Sequence, residues 1–483
     1  MKTQTEEARL QIGWATHDVT PDRPVVLGAQ FRMRISEGVD GPVTITALAV
    51  SADGHDDAAI FVSCDLGGFR HRWYDENDFL RLCREAIIKR EPGVDTQNLI
   101  LNATHTHTAP QTLINQFGRE SVDSVMTADE YMDVLLSGIA DAVSEAWKTR
   151  MPAGVSWGLG TAVVGHNRRA TYFAAESTSR PGEVVNGFTK MYGETNDPNF
   201  SHIEGYEDHY VNLLYTWDAG NNLTGVVVNL ACPSQETEHA MTVSADYWHE
   251  VRTEIRRRHG DQIHILPQCS AAGDQSPHRL WYKAAEEQML KLRGLTMRQE
   301  IGRRIANAVD DVLPFARTSI QTRVTLKHTI KDIQLPRRIV TDEEAAGVRQ
   351  DLERLEAEAE AGKNNYRVAQ RARRVLQRYE QQQANPDIPM TLHAIRLGDV
   401  AFATNRFELF LDYGIRIKAR SPAVLTFLVQ LTANDGWDGT YLPSERAVAN
   451  KGYGGGVYDN EVGPEGGKVI VEQTVKLLHE LWQ

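Results

Sequence analysis

A chain of 483 residues that is 41% hydrophobic and 24% charged has the make-up of a soluble globular protein with a large core. That length admits two or three domains, or one large α/β unit with insertions. The formal net charge of −13 argues against a general nucleic-acid or anionic-membrane surface and favours a small-molecule substrate.

No window is long and apolar enough to span a bilayer, and residues 1–9 contain no apolar leader segment. Cys64, Cys83, Cys232 and Cys269 are scattered through apolar surroundings without CxxC spacing, which fits buried free thiols in a reducing compartment. The expectation is a cytoplasmic protein.

The first third reads as strands and helices in alternation. Strands are expected at Leu10–Ala15, Thr44–Ser51 and Ala58–Cys64; the last is apolar enough to be buried on both faces, and Asp65 follows it as a functional group or a helix N-cap. The spacing of Phe79, Leu80, Leu82, Ala86 and Ile87 predicts a helix over Tyr74–Lys89, and Thr127-Ala128-Asp129-Glu130 opens another to about Lys148. Between them, Leu99–Ala103 leads into Thr104-His105-Thr106-His107-Thr108-Ala109-Pro110. If the strand continued, the two imidazoles would face opposite sides; a backbone turn would bring them together.

A strand near Gly154–Val164 precedes Asn167-Arg168, either a site arginine or a solvated basic turn. Residues 170–210 lack sustained periodicity and read as a lid or binding loop. A hairpin, Asn212–Trp217 and Leu223–Ala231, leads into Cys232-Pro233-Ser234-Gln235; a helix is expected at Tyr247–His259 and a strand at Ile263–Leu266. Gly273-Asp274-Gln275-Ser276-Pro277-His278 then places a serine on a tight turn, where its hydroxyl can be exposed.

Ala284–Ala316 is one or two helices, Ser319–Ile339 is extended, and 341–383 is a charged helical hairpin broken at Gly362, read as an inserted subdomain for contacts between copies in a possible homo-oligomer. Leu392–Thr404 forms strands, Asn405–Phe410 opens a helix with Glu408 in its first turn, and Val424–Leu431 is a strand. Tyr441 and the glycine-flanked Tyr453 follow, twelve residues apart, before a closing helix at Lys468–Leu481.

Sixteen histidines make a chance HxH unsurprising. The wording around this pair is more specific: Ala-Thr-His-Thr-His-Thr-Ala-Pro resembles the (S/A)-T-H-T-H-(S/T)-x-P motif of neutral, non-lysosomal ceramidases, which are zinc-dependent amide hydrolases. Asp18-Val19-Thr20, Asp65-Leu66, Asn167-Arg168, Ser244-Ala245-Asp246, Gly273-Asp274-Gln275-Ser276-Pro277, Glu408 and the Tyr441/Tyr453 pair resemble further motifs of that family, in its order.

The resemblance implies an α/β fold of mixed multi-stranded sheets flanked by helices, without the β-sandwich that follows the catalytic domain in ceramidases. It implies Zn2+ held by His105, Glu408 and Tyr441, with His107, Arg168, Asp274, Ser276 and Tyr453 as catalytic candidates. Two positions depart from it: Pro233 stands where the family has a second histidine ligand, for which Gln235, His239 or His249 are candidate replacements, and His278 stands for an asparagine. Proline has no side-chain donor.

The reading is a metal-dependent hydrolase of an amide (N-acyl) bond in a small polar or sugar-derived substrate rather than ceramide. Two alternatives accompany it. One is a carbohydrate hydrolase or lyase using Asp246 with Asp274, or Glu408 with Asp438, as paired carboxylates. The other is a metal-free, inactive binding protein.

Overall fold

The structure, a computed structural model, describes residues 7–54, 57–73, 76–118, 122–173, 189–434 and 440–483. Three sheets form its centre. In the first, β1 (Ala8–Asp18), β2 (Thr44–Ala52) and β3 (Ala58–Cys64) are antiparallel in turn. After α1 (Phe79–Arg90), β4 (Leu99–Ala103) joins β3 in parallel. β3 and β4 are buried at every residue, as their unbroken apolar runs require. α2 (Ala128–Lys148) begins with a full capping box, Thr127 and Glu130 each satisfying the other's backbone N–H.

The second sheet contains β5 (Gly154–Thr161), β6 (Tyr210–Trp217), β7 (Leu223–Leu230) and, after α3 (Tyr247–His259), β8 (His264–Cys269) parallel to β7. Two helices follow, α4 (Lys283–Arg293) and α5 (Met297–Ala316), separated where Gly294 adopts the left-handed conformation that ends a helix. The third sheet begins with β9 (Leu326–Pro336). The hairpin α6 (Asp342–Glu360) and α7 (Tyr366–Gln381) comes next, then β10 (Asp387–Leu397), β11 (Val400–Thr404), α8 (Leu411–Arg420) and β12 (Leu425–Val429), which is parallel to β11. A short α9 (Glu445–Asn450) and the long α10 (Pro464–Leu481) close the chain.

Each sheet therefore contains one unit of strand, crossover helix and parallel strand, the connection that parallel pairing demands. One apolar layer, with Trp14, Phe61, Leu214, Leu266, Phe402 and Phe427, is shared by all three sheets. The long helices cover the outer faces. Buried asparagines cross the sheet boundaries: Nδ2 of Asn102 donates to Pro267 O (3.1 Å), that of Asn212 to Thr426 O (3.0 Å) and that of Asn229 to Leu428 O (2.8 Å). Such buried amides need these partners, and so they fix how the sheets meet.

Three expectations change. α1 starts at Phe79, not at residue 74, which lies outside the described residues. Glu408 is not in a helix: Glu408–Leu409 pairs in parallel with Tyr441–Leu442. The reason is that Asn405 Oδ1 accepts the Phe407 N–H, Gln430 Oε1 the Leu409 N–H and Asp274 Oδ1 the Leu411 N–H, so helical bonding starts only at α8. The stretch 170–210 is not all loop: Arg169–Tyr172, Thr189–Met191 and Phe200–Ile203 form a small antiparallel sheet, while 174–188 lie outside the described residues.

Candidate active site

The three parallel pairs deliver their carboxyl ends to one place, where open α/β sheets bind ligands. β4 runs into His105 and His107, β7 into Gln235, β8 into Asp274 and Ser276, and β11 into Glu408, which pairs with the Tyr441 strand.

β4 stops at Ala103, and His105 takes a φ of 64°, in the left-handed region that disfavours side chains. This turn brings both imidazoles together, with ring centroids 5.0 Å apart. His105 Nδ1 lies 2.5 Å from the Gly67 carbonyl oxygen, which can only accept, so Nδ1 carries a proton. Its Nε2 lies 3.2 Å from Glu408 Oε2. The Tyr441 hydroxyl adjoins Glu408 and accepts from Arg168 Nη2 at 2.9 Å. Burial works against ionisation of Glu408, but His105 and Arg168 outweigh it and hold the carboxyl down at about 2.

His107 is clamped at both nitrogens. Nδ1 is 3.1 Å from Glu238 Oε2, an acceptor, so Nδ1 donates; Nε2 then accepts from the Gln235 amide at 2.9 Å. Gln235 Oε1 accepts from Arg168 Nη1 at 3.4 Å. Pro233 thus leaves no ligand, but two residues on a fully buried carboxamide joins His107 to Arg168. Of the other candidate replacements, His239 points outward with its side chain 71% exposed, and His249 stands in the first turn of α3 beside Gly41. Arg34, itself buried, donates to the carbonyls of His107, Glu238, Ala240 and Gly28 and so holds this loop against the histidine turn.

Ser276 is fully buried; its Oγ is 3.1 Å from the Tyr192 hydroxyl and accepts the His278 N–H at 3.1 Å. Asp274 is a brace: its carboxylate accepts the Leu411 N–H and the Asn167 amide, both at 2.9 Å, and burial raises its pKa. Arg168 lies over the rings of Tyr441 and Tyr453, 5.5 and 5.9 Å from their centroids, and these rings are 5.3 Å apart. Burial raises the Tyr453 pKa and keeps the phenol a donor.

A cavity of about 210 Å³ reaches His105, His107, Glu408, Tyr441 and Tyr453, whereas Ser276 and Arg168 are outside its lining. α7 supplies part of its wall, so the hairpin stands beside the site. Of the paired carboxylates, Asp246 accepts backbone N–H groups from Glu236, Thr237 and Tyr247 as a loop clamp, and Asp438 lies outside the described residues.

Sequence reasoning passed over Glu238, Tyr192 and the α7 arginines. Glu238 and Tyr192 left no local signal; the α7 arginines left one, a spacing of four, three and four residues that puts them on one helix face.

Among the described residues no three His, Cys, Asp or Glu side chains are arranged to hold a metal ion. The candidate set is one imidazole, one carboxylate and one phenol. His105 Nε2 and Glu408 Oε2 are both lone-pair donors at 3.2 Å, a contact that needs a cation or a proton between them. An imidazole nitrogen and a carboxylate oxygen are donors that zinc takes, and with the Tyr441 phenol as a third the set would leave a coordination position open.

The fold has counterparts among solved structures. A ceramidase complexed with C2 and the neutral ceramidase from Pseudomonas aeruginosa each match over 98% of this chain and 75% of theirs, with a TM-score of 0.66 and 14% sequence identity. The chain has the fold of neutral ceramidase. No protein-family model and no curated protein matches the sequence itself. The likeness to neutral ceramidase is therefore one of architecture.

Proposed function

We propose that the protein hydrolyses an amide bond in a small, polar N-acyl compound, with zinc held by His105, Glu408 and Tyr441. The observation that carries this reading is the meeting of His105 Nε2 with Glu408 beside Tyr441, at the end of a cavity that also reaches His107 and Tyr453. The ceramidase fold supports amide-bond chemistry, and a cavity of about 210 Å³ favours a small substrate. Zinc there would supply a Lewis acid for the scissile carbonyl.

The chain's own groups divide the remaining work. Tyr453 donates its phenolic proton to the oxyanion that develops on the carbonyl oxygen. Arg168 holds Tyr441 and, through Gln235, the loop after β7. His107 presents Nε2 as its basic atom once substrate displaces the Gln235 amide; it takes the proton of the attacking hydroxyl or water and returns it to the leaving nitrogen. Ser276, buried outside the cavity lining with its Oγ 3.1 Å from the Tyr192 hydroxyl, supplies its hydroxyl, as the nucleophile on the carbonyl carbon or to orient the attacking water, only if that contact opens on substrate binding.

Metal content by mass spectrometry, together with a screen of soluble N-acyl amides, tests the reading. Stoichiometric zinc that is lost in His105→Ala is expected, with amide hydrolysis that falls about a hundredfold or more in Ser276→Ala. No amide turnover by zinc-loaded protein would sink the reading, and so would greater activity on ceramide vesicles than on any soluble amide.

A further inference from the structure

α7 concentrates positive charge on one face. Arg367, Arg371, Arg374 and Arg378 succeed one another by four, three and four residues, and all four line the cavity that holds His105, Glu408 and Tyr453. Arg70 from the loop after β3 and Arg406 from the end of β11 line it too. With Arg72, seven guanidiniums stand against three carboxylates in the described lining, in a protein of net charge −13. One of those carboxylates, Glu408, belongs to the candidate metal set.

The row also docks the hairpin on residues 457–461, through Asp459, Glu461 and the carbonyls of Val457 and Asn460. Like charges one turn apart repel, and the hairpin packs through Val368, Ala372 and Val375. Arg367 and Arg371 both lie over the Phe31 ring, each 5.1 Å from its centroid, which holds two guanidiniums side by side at the cavity. Arg371 meets Asp459, and Arg374 meets Glu461 at 3.0 Å, a carboxylate that Arg337 shares at 3.1 Å. Arg378 is 3% exposed; it donates Nη1 to Asn460 O and Nη2 to Val457 O, and its Nε has no hydrogen-bond partner among the described residues. Burial lowers the Arg378 pKa to about 10; Glu461 opposes this, and Arg338, Arg337 and Arg374 add to it.

We propose that the α7 wall is a subsite for an oxyanion on the substrate, a carboxylate or a phosphate or sulfate ester, bound by its guanidiniums while the amide bond lies at His105 and Tyr453. Guanidinium forks suit such groups, which they hold by two parallel hydrogen bonds. The position of the scissile bond rests on the amide-hydrolase reading; the anion site does not.

Two measurements test it. In the first, glutaryl 4-nitroanilide is compared with its methyl ester, which differs by the charge. The free carboxylate is expected to be preferred by about tenfold or more in kcat/KM, mainly through KM, with the preference shrinking as salt rises. Arg371→Gln, and separately Arg367→Gln, should bring the ratio of the two substrates towards one. This ratio discounts damage that slows both alike.

In the second, calorimetry reads glutarate and inorganic phosphate binding to the wild type and both variants. The tighter of the two names the substrate's anion, and at least about tenfold weakening is expected in each variant. A ratio near one in the wild type, no binding of either anion, or binding unchanged by both substitutions overturns the subsite. If neither anilide is cleaved but anion binding is lost in the variants, the subsite stands and the amide-hydrolase reading falls.

Discussion

Glu238 sets the tautomer of His107 by accepting its Nδ1 proton, which leaves Nε2 as the basic atom. Gln30 donates to the same Glu238 oxygen at 3.0 Å, and His278 approaches the other at 3.6 Å. Burial works against protonation of His278, but Glu238 and Glu236 prevail and raise its pKa. Glu238→Gln keeps the shape but can present an amide N–H to Nδ1 and so favour the other tautomer. kcat on the best amide is expected to fall about tenfold to a hundredfold with KM little changed. Equal losses for His107→Ala and the double variant would confirm that the two act as a unit; a Glu238→Gln enzyme with full kcat would refute the role. At this scale the sequence carried much: His105, His107, Glu408, Tyr441 and Tyr453 do converge on one cavity. Glu238 was not legible, because only the loop tied down by Arg34 and Asp246 turns it back towards β4.

Among the elements, Asp65 is a clamp. Arg252 of α3 donates to it from both Nη atoms, at 2.7 and 3.1 Å, and Thr44 donates its backbone N–H at 2.8 Å, so a helix of the second sheet is tied to the end of β3 in the first. Both side chains are buried. Removing one partner strands the other charge, so Asp65→Ala should lose about 3–5 kcal/mol of stability by urea denaturation. A double change, Asp65→Leu with Arg252→Met, should recover part of that; a single variant within about 0.5 kcal/mol of the wild type would refute the clamp. The sequence left Asp65 between a site residue and a helix cap. Neither is its use, since its partner lies 187 residues away. The Glu408 segment shows the same limit in backbone form, with helix-like spacing overridden by pairing to Tyr441.

Across the whole molecule, buried histidines make stability fall with acid. His264 stacks on Trp14 with 5.5 Å between centroids, joining the second sheet to the first, and burial, with Arg256 adding, lowers its pKa to about 4. His393 contacts His328 at 3.0 Å in the third sheet, and burial, with His328 adding, lowers it to about 3. The unfolded imidazoles take up protons near pH 6.5, before the folded ones. Their contribution is therefore complete above that pH and is lost as pH falls through about 4 and then about 3. His264 alone accounts for up to about 3 kcal/mol. The unfolding midpoint should drop between pH 7 and 4, and His264→Phe should flatten that slope; a flat wild-type profile would refute it.

By itself the sequence determined what depends on near neighbours: the buried strands, the capping box at Thr127, the break between α6 and α7, and the order of the motif residues along the chain. These follow from periodicity and from side chains that bond to backbone within a few residues. Tertiary structure alone decided that three parallel pairs end together, that Gln235 rather than a histidine joins His107 to Arg168, and that the α7 arginines, more than 250 residues beyond His105, wall the same cavity. Those contacts depend on how the shared apolar layer and the buried asparagines lock the sheets against one another, and no local pattern encodes that distance.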